Sequence, residues 1–195
     1  MHYDNKFESN ISVVNVSYFI PLESRKELEQ ALSSHEIGLL FYEQRQNSIQ
    51  ASLFQTIIVY VNEHLTELLI YGILAPTAYD TLKKAIHFVA KSISGFIRKR
   101  DKDETDPSMK FKIGNAEVIA PIPSNLSDEQ FSSYMDTLKN TLKRLSDNEA
   151  RKVERYDRFI VEYDRKTENL YIKTVSQYGS ERAAEQRRAK GDKHD

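Results

Sequence analysis

Residues 49–99 read IQASLFQTIIVYVNEHLTELLIYGILAPTAYDTLKKAIHFVAKSISGFIRK, and the fold turns on how this stretch divides. Apolar side chains recur at Ile49, Leu53, Ile57, Val61, Leu65, Leu68 and Leu69. Steps of three and four place them on one face of a 3.6-residue helix. Phe54, Ile58 and Tyr60 widen that face, and Asn62, Glu63, Thr66 and Glu67 add a polar strip. The spacing predicts a helix over about Ile49–Tyr71. Gly72 can adopt the left-handed conformation that ends a helix, and Pro76 suits the first turn of the next, where a missing N–H costs nothing. A second helix is predicted from Pro76 to Lys99, with Tyr79, Leu82, Ile86, Val89, Ile93, Phe96 and Ile97 as its apolar stripe. Asp80 in its first turn and Arg98, Lys99 and Arg100 at its end suit the helix dipole.

Working outward, Ile11–Ile20 is rich in Val and Ile, with Val14, Val16, Tyr18 and Ile20 alternating on one side, as in a strand. Ser24 and Glu27 have capping-box spacing ahead of Leu28, Ala31 and Leu32, so a short helix follows. Ile37–Tyr42 (IGLLFY) is a second strand. The charged run RDKDETDPS after Lys99 is a surface loop. Met109, Phe111 and Ile113 alternate with Lys110 and Lys112, and Gly114-Asn115 makes a two-residue hairpin turn of the II′ kind. The returning strand Ala116–Ile122 is placed at a sheet edge by Pro121 and Pro123. Ser127 and Gln130 form another capping box, before a helix with Phe131, Tyr134, Met135, Leu138, Leu142 and Leu145 on one face. Arg158–Tyr163 and Leu170–Val175 form a last hairpin. From Gln177 large apolar residues nearly vanish, which predicts a frayed helix or disorder.

The expectation is therefore an α+β fold, a small mixed sheet with hairpins packed on a long central helix pair plus one further amphipathic helix. Residues 1–10 are expected as a flexible N-terminus, 11–176 as a single domain with 150–176 as a C-terminal hairpin subunit, and 177–195 as a polar tail.

The chain has 195 residues, enough for a sizeable core. Its formal net charge of −1, from 28 basic and 29 acidic residues, rules out a role set by bulk charge, so nucleic-acid binding would need a local patch. With no cysteine there is no disulfide framework, thiolate metal site or cysteine nucleophile. The Leu53–Pro76 stretch is the only membrane candidate, and Asn62, Glu63, His64 and Glu67 near its middle argue against a span. Without a signal-like start the chain is expected in the cytoplasm.

Several clusters carry candidate chemistry. Lys83, His87, Lys91 and Arg98 make a basic edge beside the apolar stripe of the second helix, suited to phosphates without sequence choice. Its plainer reading is a solvated helix face. Asp164, Arg165 and Lys166, near Glu162, echo the acidic-x-Lys element of metal-dependent nucleases, yet fall where a hairpin should turn, which favours a polar turn. Glu63, His64 and Glu67 cluster on a helix, with Glu63 and Glu67 one turn apart, but no second helix offers a matching set of metal ligands. His2, His35 and His194 have no motif around them. No nucleophile elbow or phosphate-cradling glycine loop occurs, and no cofactor is implied. Tyr60, Tyr71, Tyr79 and Phe96 are interface anchors by type, since aromatics bury much area at small rotamer cost.

The order strand, helix, strand, helix pair, hairpin and helix resembles the small effector-associated constant components of bacterial conflict systems. The segments LKKAIHFVAKSISGFIRKR and KFKIGNAEVIAPIPSNLSDEQ carry the resemblance. It spans roughly Ile11–Leu145 and leaves the last hairpin unexplained. It implies a non-enzymatic adaptor between a toxic effector and a regulatory module, acting in antiviral or similar defence, with no catalytic residues. The expected function is thus interaction with a protein partner, self-association included. Nucleic-acid binding through the basic edge is the alternative, and metal-dependent hydrolysis comes third.

Overall fold

A computed structural model of the chain describes residues 7–14, 19–42, 57–97, 107–149 and 158–191. The fold is α+β. Among the described residues, seven strands form one mixed sheet in the order β2-β1-β3-β4-β5-β6-β7. They are β1 (Ser9–Val14), β2 (Ile37–Tyr42), β3 (Ile57–Val61), β4 (Ser108–Ile113), β5 (Ala116–Pro121), β6 (Arg158–Asp164) and β7 (Asn169–Thr174). The helices are α1 (Leu22–Ser33), α2 (Glu63–Ile70), α3 (Pro76–Ile97), α4 (Asp128–Glu149) and α5 (Val175–Gly191).

The helix expected over Ile49–Tyr71 is instead a strand followed by a short helix. Residues 49–56 lie outside the described ones. Ile57, Ile58, Val59, Tyr60 and Val61 are β-branched or aromatic, and they pair antiparallel with β1 and parallel with β4. Asn62 then breaks the run. Its backbone is extended, and its Oδ1 accepts from Leu65 N at 3.1 Å, the standard N-cap of a new helix. The four-residue recurrence of Val61, Leu65 and Leu69 survives because all three are buried in the same core, although they sit on two elements. The predicted joint is present. Gly72 has φ +69°, Gly72 N bonds Leu69 O and Ile73 N bonds Leu68 O, a Schellman ending. Pro76 opens α3.

Other expectations shift in detail. Ser9 and Asn10, assigned to a flexible terminus, belong to β1. The buried side of β1 is Ile11 and Val13 rather than the Val14 set, because Ile11 stands opposite Val61 and Val13 opposite Val59. Residues 15–18 are outside the described chain. The capping box at Ser24 is not used. Pro21 occupies the N-cap position without a side-chain cap, which puts Ser24 inside the first turn. The Ser127–Gln130 box is real. Ser127 N donates to Gln130 Oε1 at 3.0 Å and Gln130 N to Ser127 Oγ at 3.2 Å. The β4–β5 hairpin turns at Gly114, with φ +54° there and no positive φ at Asn115, as a II′ turn requires. Its second strand is not an edge. β5 lies between β4 and β6, and Pro121 is tolerated because β6 pairs only with Glu117–Ile119. The last hairpin thereby joins the main sheet. The tail, expected as a frayed helix or disorder, is α5. Thr174 and Gln177 cap it reciprocally, Gln177 N donating to Thr174 Oγ1 and Thr174 N to Gln177 Oε1.

The two faces of the sheet are unequal. Ile11, Val13, Ile37, Val59, Val61, Met109, Phe111, Val118, Phe159 and Val161 share one core cluster with buried residues of α1–α4, so these helices cover one face. Register sets Tyr60, Lys110, Lys112, Glu117, Ile119, Arg158, Ile160, Tyr171 and Lys173 on the opposite face. There, among the described helices, only α5 packs, against β6 and β7.

Asn62 fastens the edge of this arrangement. Besides Leu65 N, its Oδ1 accepts from Asn10 N at 3.1 Å, and its Nδ2 donates to Glu8 O at 2.6 Å. Asn62→Ala is therefore expected to destabilise the fold by about 2 kcal/mol in chemical denaturation, from the lost cap and the β1 amide left unpaired. Asn62→Asp keeps the acceptor and should lose less.

Candidate functional site

The basic edge of α3 is an intramolecular seam. Lys83 is held by Asp80 at 2.9 Å and donates to Ser132 Oγ of α4 at 2.7 Å. Lys91 pairs with Asp128 Oδ1 at 2.9 Å, and His87 Nδ1 meets the same oxygen at 3.1 Å. His87 is only 4% exposed, and its ring lies flat on Phe131, with centroids 4.2 Å apart and 2° between planes. Arg98 lies outside the described residues. Three of the four predicted phosphate ligands are thus brought together, but against α4, where a phosphate would have to displace Asp128 and Ser132.

Charges in the seam follow from this packing. Lys91, and behind it His87, hold the Asp128 carboxylate below the usual carboxylate range. Burial, then Lys91, push His87 below the ordinary histidine value, against the opposing pull of Asp128 and the Leu126 backbone. A carboxylate only accepts, so Nδ1 carries the proton of the neutral ring. Nε2 is buried with no hydrogen-bond partner among the described residues.

The four interface anchors are dispersed. Tyr60 is on the less covered sheet face, with the Lys110 ammonium 5.1 Å from its ring centroid. Tyr71 is exposed at the end of α2. Tyr79 lies between Lys83 and Lys139, at 4.5 and 4.9 Å. Burial and the nearby Asp136 raise its phenol well above the usual range. Phe96 falls in the last turn of α3, with its side chain outside those described.

The nuclease-like triplet is a turn. Asp164 Oδ1 accepts from Lys166 N at 2.9 Å, its Oδ2 accepts from the Thr167 hydroxyl at 2.8 Å, and these bonds hold its carboxylate low. Glu162 pairs with Lys173 rather than with a metal-binding partner. In the other cluster, Glu63 pairs with Lys112 at 3.0 Å and His64 faces Glu8 at 3.7 Å. No group of three His, Asp or Glu among the described residues is placed to hold a metal ion.

One concave feature among the described residues was missed by sequence reasoning. A cleft of about 540 Å³ opens where α5 crosses β6 and β7, lined by Pro121, Ile160, Tyr163, Tyr171, Tyr178 and Arg182 among others. Its size lies within the usual range for small-molecule sites. Lys173 anchors it, bound to Glu162 of β6 and to Glu181 of α5, and the two carboxylates keep its ammonium charged. Arg182 Nε donates to the Tyr178 hydroxyl at 3.2 Å. Beside the cleft, Glu117 takes Lys110 at 2.8 Å and Arg158 at 3.0 Å, and Lys110 above all keeps it ionised. The available signals were the T-x-x-Q box at Thr174 and the lone aromatic Tyr178 in an otherwise polar run.

Comparison of the chain with protein-family models, with curated proteins and with solved structures finds no match.

Two outcomes follow. The unfolded chain binds a proton at His87 more readily than the folded one, since burial depresses only the folded value. Its contribution to stability is complete above the unfolded histidine value of about 6.5 and is lost as the pH falls from there to the folded value. His87→Gln should flatten that part of a stability–pH profile. Lys173→Met leaves Glu162 and Glu181 facing each other, so amide exchange should rise across α5 while β3–β5 stay protected.

Proposed function

We propose that this protein is a non-enzymatic interaction module that docks a protein partner on the sheet face opposite α1–α4, centred on the β6–β7–α5 cleft. The observation that carries the reading is the inequality of the two faces. One is closed by four helices in a continuous core, and the other presents Tyr60, Tyr171 and a cleft beside α5. Tyr171 is 49% exposed, and rigid aromatic side chains of this kind anchor interfaces at small entropic cost. The groups named as catalytic candidates support the same reading, because Asp164 holds its own turn and Glu162 neutralises Lys173.

The setting implied by the layout belongs to the proposal. The chain would act as an adaptor in a bacterial conflict system, between a toxic effector and a regulatory module. The layout itself has changed, with β3 and α2 standing where a long helix was expected. A second copy of the chain is the other occupant of the docking face.

Solution mass alone and in native extracts distinguishes partner from self-association. Tyr171→Ala should weaken the captured complex roughly 30-fold, the effect of about 2 kcal/mol at a buried aromatic anchor. Its thermal midpoint should match wild type, because this side chain belongs to no core cluster. Unchanged affinity would refute the docking face. Salt-dependent retention on a nucleic-acid column, lost on neutralising Lys83, Lys91 and Arg98, would favour the basic edge instead.

A further inference from the structure

The α3–α4 seam and the cleft are joined by a chain of aromatic contacts. The His87 ring stacks on Phe131, Phe131 packs on Tyr134 at 5.9 Å, and Tyr134 meets Tyr163 edge-on at 5.1 Å. The Tyr134 hydroxyl donates to the Pro121 carbonyl. Tyr163 and Pro121 both line the cleft. Three of the four rings come from α3 and α4, while Tyr163 belongs to β6, so the contacts run from the helix layer into the sheet.

His87 has two protonation states, which this site holds at different energies. In the neutral ring, Nδ1–H donates to Asp128 and Nε2 needs no proton acceptor. Protonation adds a second N–H and a full charge at a site only 4% exposed. Among the described residues, the groups facing it are few. From α3, Lys91 repels the charge, and Lys83 lies one turn away on the same seam. From α4, Asp128 favours it, but that carboxylate also holds Lys91 and is itself largely solvated. The Leu126 backbone, ahead of α4, gives the remaining help. The charged ring gains most by moving toward water, past the first turn of α4. Departure of the ring would leave a void against Phe131, which is 1% exposed and coplanar with it, and close packing favours a shift of Phe131 into that space.

We propose that His87 is a proton-sensitive latch between α3 and α4, whose release passes through Phe131 and Tyr134 to Tyr163 and Pro121 and loosens the cleft on acidification. The latch itself requires nothing of the partner. Its consequence for docking rests on the cleft being the docking site.

The full chain is titrated by NMR from about pH 8 to about pH 5, the interval in which an unperturbed histidine changes charge, and lower while the fold holds, because burial depresses His87. The His87 imidazole, the Tyr163 ring and the Ile122 amide are followed, with Tyr163→Phe used for assignment. All three should shift with one midpoint. In His87→Phe, which keeps the stacking surface, the Tyr163 and Ile122 signals should stay flat. In Asp128→Asn, an exposed change that removes a group favouring the charge, the three midpoints should fall together, and this variant carries the test if His87→Phe does not fold. Tyr163 signals that ignore the His87 midpoint, or that titrate equally in His87→Phe, would overturn the proposal. No partner is present, so that failure would leave the docking face standing, and loss of the docking face would leave the latch standing.

Discussion

The arrangement depends on one amide side chain at the junction of β3 and α2. Asn62 Oδ1 accepts from Leu65 N and Asn10 N, its Nδ2 donates to Glu8 O, and its own backbone N–H donates to Asn10 O. The same group that starts a helix therefore holds that helix to the neighbouring strand. A continuous helix through this point would leave the β1 backbone without these partners, a cost of the order of a kcal/mol for each buried group. With α2 fixed over β1 and β4, the Schellman turn at Gly72 leads into α3, which packs against α1 and α4. The position of α3 then decides which residues α4 can meet.

Covering a sheet on one face has a consequence for the other. Alternation along β4 sends Met109, Phe111 and Ile113 inward and Lys110 and Lys112 outward, and β5 answers with Glu117 opposite Lys112. The outer face is kept from being purely apolar by the Lys110–Glu117–Arg158 network and by Lys173 between two carboxylates. Exposed pairs of this sort add little stability, but they fix side chains in register and make the face selective. α5 is held there by charge and by Tyr178 rather than by an apolar stripe. That is why it can cover part of the face without sealing it.

What could be read from residues alone was local. The β4–β5 hairpin, the Ser127 cap, the Gly72–Pro76 joint, β2 and the stripe of α3 each depend on neighbours a few positions apart, and each is present. The stretch over Ile57–Ile70 misled because Val61, Leu65 and Leu69 repeat every four residues in both interpretations. The β-branched run before Asn62 was the discriminating feature, and strand pairing with β1 and β4 decided it. Pro121 misled for a similar reason. Proline is excluded only where a ladder bond is needed, and β6 stops pairing at Ile119. The cleft was illegible because its walls come from β5, β6, β7 and α5, and no local period relates them. The nuclease-like triplet was legible as a turn because Asp164 reaches only two and three residues ahead.

The basic edge shows why a charge stripe cannot be assigned a ligand from its own helix. Lys83, His87 and Lys91 have helical spacing that suits a row of phosphates. It equally suits the first turn of an antagonist helix that carries an acid, and α4 begins with Asp128 and Glu129. Those acids suit the positive end of the α4 dipole, so Asp128 is stabilised by its own helix before α3 contributes. An anion arriving from solution would have to exceed both contributions, and would still find His87 buried against Phe131. The stripe is therefore matched within the fold. Among its described members, His87 Nε2 is left without a hydrogen-bond partner, and the proposed response of the seam to protons turns on that atom.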